Sequence, residues 1–104
     1  MSLDTSRFHA LADKLLQHIV DKVEDELGDD FDADLNSGIA TLEDGAGRQF
    51  LINKHESNQQ IWLSSPKSGA THFIYDQDAG LWRSTRDASI GLLALLSTEL
   101  GIDL

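Results

Sequence analysis

Apolar residues near the amino end recur at spacings of three and four: Phe8, Leu11, Ala12, Leu15, Leu16, Ile19, Val23 and Leu27. Side chains at those spacings share one face of an α-helix, so the pattern predicts a helix closed by Gly28. Asp4 or Ser6 can cap its start, because either side chain can accept a bond from an unpaired N–H of the first turn. The opposite flank carries His9, Asp13, Gln17, Asp21, Glu24 and Asp25, again three or four residues apart, on a face turned from the core.

The period then shortens to two. Segments 35–42, 49–53, 60–64, 71–75 and a short 81–83 read as strands, separated by turn signals at residues 44–47, 66–69 and 78–80. Gly38 is expected to form a bulge within the first. In the third, Ile61 and Leu63 point to one side and Gln60, Trp62 and Ser64 to the other. A second helix is expected from an Asp87 cap. Ile90, Leu93, Leu96 and Leu100 form its stripe, Leu92 and Leu95 widen it, and Gly101 ends it. Gly91 falls inside that helix. Strands joined by short loops pair antiparallel. The expected fold is a single domain, residues 1–104, of the α+β class: a two-layer α–β sandwich in the order α-β-β-β-β-β-α. Two terminal helices cover one face of a five- to six-stranded antiparallel sheet, and the other face is open.

Charge sharpens this picture. Of the fourteen residues from 21 to 34, eight are Asp or Glu, opposed by Lys22 alone. Residues 1–34 hold −7 of the net charge of −10. So much like charge on one edge suits hard cations or a basic partner; the alternative is a solvated helix face. Binding to nucleic acid or to an anionic membrane surface is disfavoured, since both require cations. No apolar run approaches the length of a membrane span or a signal-peptide core, which places the protein in the cytoplasm. With no cysteine, the chain has no thiolate metal ligand, disulfide or cysteine nucleophile.

Carboxylate oxygens suit Ca²⁺, Mg²⁺, Mn²⁺, Fe²⁺ and Fe³⁺, and a surface ridge holds them weakly and with little selectivity. Residues 30–34 imitate the opening of a calcium loop, but Leu35 stands where that loop needs glycine and Thr41 where it needs glutamate. His9, one helical turn before Asp13, could add a nitrogen ligand to the ridge. Trp62, flanked by Gln60 and Ser64, has the composition of a protein-binding hot spot if the open sheet face exposes it; a Trp covered by neighbouring strands is the alternative. Trp82 reads as a core or edge packing residue. Ser64 and Ser65 have no triad partners, Gly45-Ala46-Gly47 lacks the spacing and lysine of a phosphate loop, and nothing marks the chain as an enzyme.

Taken together, these residues resemble the frataxin family in its bacterial form, over nearly the whole chain. The carrying pieces are Phe8-His9-x-x-Ala12-Asp13, the acidic stretch 21–34, Asn36-x-Gly38, and Asn53 followed by Gln60-Ile61-Trp62-Leu63-Ser64-Ser65-Pro66-x-Ser68-Gly69. Trp82, Arg86-Asp87 and a leucine-rich helix complete the order. The resemblance implies weak binding of iron, as Fe²⁺ or Fe³⁺, at the ridge. It also implies regulation of iron–sulfur cluster assembly by binding the cysteine desulfurase and the scaffold protein. Carried over position by position, Asp21, Glu24, Asp25, Asp29 and Asp32 match the family's acidic ridge, His9 its first-helix histidine, and Asn53, Gln60 and Trp62 its exposed sheet surface. Val20 and Leu27 depart from acidic positions of relatives. The alternatives are an iron-storage or ferroxidase-type iron chaperone and a nonselective divalent-cation-binding module. The implied state is a monomer, with iron-induced oligomers open.

Overall fold

A computed structural model of the chain describes residues 4–104. The first helix, α1, spans Thr5–Leu27. Asp4 caps it, its carboxylate accepting the Arg7 N–H at 2.7 Å. Six antiparallel strands follow in chain order: β1 (Phe31–Asn36), β2 (Ile39–Asp44), β3 (Gln49–His55), β4 (Gln60–Ser65), β5 (Gly69–Asp76) and β6 (Leu81–Ser84). The second helix, α2, spans Leu92–Leu100.

The helices cover one face of the sheet, as the alternation of apolar residues requires. Phe8, Ala12, Leu15, Leu16, Ile19, Val20 and Val23 of α1 are buried. They meet Ala40, Leu42, Phe50, Ile52, Ile61, Leu63, Phe73 and Trp82 from the sheet and Leu92 and Leu96 from α2. Trp82 is a core residue, edge-on to Phe8 and Tyr75 at centroid distances of 6.1 and 5.2 Å. Val20, a departure from the family's acidic pattern, is 4% exposed and belongs to this core rather than to the ridge.

Two sequence expectations are corrected. Segment 35–42 is not one strand with a bulge. It is the hinge of a hairpin, with Ser37 and Gly38 at φ +52° and +79° as its two-residue turn. Positive φ at both central positions matches the twist of a tight hairpin, and glycine adopts it at no steric cost. The acidic stretch therefore runs from the helix through the turn 28–30 and on into strand β1 at Phe31. Second, α2 starts at Leu92 with Gly91 as its N-cap, not at Asp87. Gly91 is extended and bridged to Arg83, so the chain before α2 lies along β6. Asp87 caps a turn instead, accepting the N–H and the hydroxyl of Ser89 at 3.0 and 2.6 Å. Gly101 closes α2 in the left-handed region, φ +74°, as expected.

Two buried serines hold turns. Ser65 Oγ donates to the Glu99 carboxylate and accepts the N–H groups of Lys67 and Ser68, pinning the β4–β5 turn to the end of α2. Ser84 Oγ accepts the N–H groups of Arg86 and Asp87.

Candidate functional site

The ridge is assembled from three consecutive pieces. The outer face of α1 exposes Asp21, Glu24 and Asp25; the turn after it exposes Asp29 and Asp30; and alternation along β1 exposes Asp32 and Asp34 while Phe31, Ala33 and Leu35 pack inward. Few cations answer these charges. Asp21 accepts a bond from the Gln17 side chain at 2.8 Å, and Lys22 pairs with Glu26 at 3.2 Å. No salt bridge reaches Glu24, Asp25, Asp29, Asp30, Asp32 or Asp34 among the described residues. A shallow depression of about 140 Å³ lies at the ridge's end, between the 28–30 turn and the β2–β3 turn, lined by Asp29, Asp30, Asp32, Glu43 and Asp44. Even so, no three carboxylates or imidazoles converge on a single ion position among the described residues. The ridge is a field of charge with side chains that must move to coordinate, not a preformed cage.

His9 lies apart from the rest of the predicted ligand set. Its Nε2 is 3.4 Å from Glu56 on the β3–β4 turn, and its ring tilts against Phe8. Sixteen residues of helix put it about 24 Å from Asp25. Asp13, one turn on, pairs with Lys54 of β3 at 2.7 Å.

The open sheet face carries the second surface. Register places Asn36, Ile39, Asn53, Trp62 and His72 in one row across β1 to β5. The half-buried Trp62 indole lies flat between the imidazoles of His55 and His72, with centroids at 4.0 and 4.2 Å and planes 6° apart. Its Nε1–H donates to Gln60 Oε1 at 2.8 Å. The three residues predicted for this face, Asn53, Gln60 and Trp62, are thus brought together. The two histidines that fix the indole escaped the sequence reading. Alternation alone puts His55 on the side of Asn53, but only the β4–β5 register sets His72 opposite Trp62. Ile39 and Ile74 add exposed apolar area, 40% and 46% accessible.

Three carboxylates outside the ridge are held below the ordinary carboxylate range. Partial desolvation works to raise Asp44, but the N–H groups of Arg48 and Ala46 and the Arg48 guanidinium, all at 2.9 Å, outweigh it. Asp76 is lowered by the Ala79 N–H first, then by Arg83 and the Asp78 N–H, against a smaller opposing effect of desolvation. Asp87 is lowered by the Ser89 hydroxyl and N–H. Asp44 and Asp76 end β2 and β5 where the chain turns, Asp87 opens a turn, and the negative charge of each is already answered locally.

The frataxin-like domain family matches residues 1–104, the whole chain. This chain belongs to the frataxin-like family. An iron-sulfur cluster assembly protein, CyaY, of Pseudomonas fluorescens is 34% identical over 107 positions, covering 100% of this chain and 96% of that protein. Mitochondrial frataxin of Arabidopsis thaliana is 39% identical over 85 residues, which are 77% of this chain but only 45% of the plant protein. Among solved structures, frataxin from Psychromonas ingrahamii superposes with a TM-score of 0.82 at 32% identity, covering 94% of this chain and 89% of that one. Trimeric frataxin from Saccharomyces cerevisiae, solved with ferrous iron, superposes at 0.76 with 36% identity over 88% of this chain and 82% of that one. The frataxin fold expected from the motifs, two helices on one face of an antiparallel sheet, is therefore the fold of the relatives, with six strands.

Proposed function

We propose that this chain binds iron weakly along its acidic ridge and regulates iron–sulfur cluster assembly by docking on the cysteine desulfurase and the scaffold protein. The observation that carries the reading is the continuity of the two surfaces. β1 displays Asp32 and Asp34 on the same open face as Trp62, three strand spacings across the sheet and two to four residues along it, about 16–20 Å away. One partner of ordinary footprint covers both. The ridge supplies approach and orientation through its field, and the Trp62 platform supplies a rigid aromatic contact at the centre.

Asp21, Glu24, Asp25, Asp29 and Asp32 are the ridge residues assigned to iron. Exposed carboxylates that do not converge favour hydrated, weakly held ions. Iron on the ridge neutralises charge that would otherwise meet the desulfurase, which links metal loading to docking. The family supports this assignment: the Pseudomonas relative is named for cluster assembly, and the yeast structure was solved with ferrous iron. We read the role as that of a binding protein, since a ferroxidase needs a fixed redox centre and the ridge presents exposed carboxylates that do not converge among the described residues.

The test is a calorimetric titration of the chain into purified cysteine desulfurase at moderate salt without metal. Micromolar binding is expected. No detectable heat or binding would remove the central partner and contradict the reading.

A further inference from the structure

Strand order leaves the sheet with two edges, β1 and β6. The β6 edge is covered: Gly91 bridges to Arg83, and the Ser84 N–H donates to the Ile90 carbonyl at 2.9 Å. The β1 edge has no such cover among the described residues. The Lys54 N–H donates to the Gly38 carbonyl at 2.9 Å, which directs the N–H and carbonyl of Ile39 itself toward Asn36. From that closing pair the antiparallel alternation runs back along β1. Asn36, Asp34 and Asp32 bond to β2, while Leu35, Ala33 and Phe31 turn their backbone groups outward. No other backbone bond among the described residues reaches those outward groups.

We infer that the β1 edge is a strand-addition site for an extended partner segment in which basic and apolar residues alternate. The edge is six residues long and contains no proline or bulge; its charges, Asp32 and Asp34, close it to acidic strands and leave it open to a basic one. Its two faces specify the occupant. An added strand would set alternate side chains beside Asp32 and Asp34 on the open face, where cations are wanted. The intervening ones would lie beside Phe31, Ala33 and Leu35 at the margin of the core, where apolar groups are wanted. Asp29 and Asp30, immediately before the strand, extend the demand for positive charge. The same acids disfavour a second copy of this chain as occupant, because two β1 strands laid together would oppose carboxylate to carboxylate. Main-chain bonds then give affinity and the alternating side chains give selectivity. The inference rests on the proposed docking of a basic partner at the ridge and specifies how its chain is held.

The test uses the intact protein and two acetylated, amidated heptapeptides: a Lys–Val alternation beginning and ending with lysine, and a Lys–Pro alternation of equal charge that lacks half the ladder donors. The Lys–Val peptide is expected to bind at least tenfold more tightly. It should also slow amide hydrogen exchange at Phe31, Ala33 and Leu35 by tenfold or more. Ala33→Pro removes one outward N–H and no charge, at an edge position that tolerates proline. It should bring the affinity for the Lys–Val peptide close to that for the Lys–Pro peptide. If that variant does not fold, exchange in the wild-type chain decides alone. Equal affinities with unchanged exchange at those three amides would overturn strand addition while leaving a salt-sensitive ridge, and with it the proposed function, in place. Failure of both peptides to bind would also overturn it, whereas the proposed function stands or falls with the desulfurase titration.

Discussion

The Trp62 indole lies parallel to the His72 imidazole at a centroid distance of 4.2 Å, on strands whose register sets the two residues directly opposite each other. With His55 on the other side, the largest side chain of the open face is held as a rigid platform rather than left to collapse onto the sheet. A pre-ordered aromatic loses little freedom when a partner covers it. Trp62→Ala is therefore expected to weaken desulfurase binding by about 2 kcal/mol or more, roughly thirtyfold, as at an interface centre. The cost to folding should be smaller, about 1 kcal/mol, because the residue lies outside the core. Calorimetric affinity set beside thermal unfolding of the same variant checks the split. A large loss of stability with unchanged affinity would make Trp62 a packing residue only.

The ridge should destabilise the fold that carries it. Asp21 and Asp25 lie four residues apart on α1, and like charges at that spacing repel by a few tenths of a kcal/mol. Among the described residues no salt bridge answers Asp25. Asp25→Asn is expected to raise Tm at neutral pH and low salt by about 1–4 °C, with the gain shrinking in high salt. A fall in Tm would contradict the repulsion argument.

Cations should act in the same direction. Because the ridge carboxylates do not converge, Ca²⁺ and Fe²⁺, the latter without oxygen, are both expected to raise Tm and to bind weakly. Neutralising Asp25 and Asp29 together should remove most of either effect. Tight, selective binding of Fe²⁺ with no response to Ca²⁺ would require a built site that the geometry does not display.

Acid should act on the turns. Asp76 is held below the ordinary carboxylate range, principally by the Ala79 N–H and with help from Arg83. A carboxyl with a lowered folded-state pKa contributes stability that is present above its unfolded-state pKa and lost as pH falls through the folded value. Asp76→Asn is therefore expected to lower Tm at pH 7, and the difference from wild type should narrow as pH falls below the ordinary aspartate value of about 3.9. A difference that stays constant across that range would assign the effect to hydrogen-bond geometry instead of charge.

The core sets the scale against which these surface effects are read. Phe73 is fully buried at the centre of β5, against the face covered by the helices. Phe73→Ala should cost about 3–5 kcal/mol, several times any ridge substitution, as measured by denaturant unfolding. A cost below about 1 kcal/mol would show that the helices do not pack on the sheet as described.

Much of this was legible in the sequence because it rests on period. The three-and-four spacing from Phe8 to Leu27 gave α1, and the placement of Trp62 opposite Ile61 and Leu63 gave the open face. The parts that were not legible have identifiable causes. Phe31-Asp-Ala-Asp-Leu-Asn alternates as a strand should, but its acids continue the charge run of the helix and turn, which hid the start of β1. Gly38 read as a bulge because Ser37 is an uncommon residue for positive φ, and the hairpin turn needs it there. Asp87 looked like a helix cap since an aspartate that bonds to the second residue ahead serves a turn equally well. His55 and His72 required the strand register, a tertiary quantity. His9 shares a helix face with the ridge acids, one turn before Asp13, and the length of α1 sets it at the far end from Asp25.

Docking joins two adjoining surfaces, the acidic ridge that runs from α1 into β1 and the Trp62 platform on the open sheet face, on one partner. Its most direct test is desulfurase affinity at low and high salt for three proteins: wild type, Asp25→Lys and Trp62→Ala. Wild type is expected to bind less tightly as salt rises. Asp25→Lys should bind more weakly at low salt and respond less to salt. Trp62→Ala should lose affinity at both salt concentrations with the wild-type salt response intact. Wild-type affinity and salt response in both variants would contradict the claim that the ridge and the Trp62 platform form the docking surface.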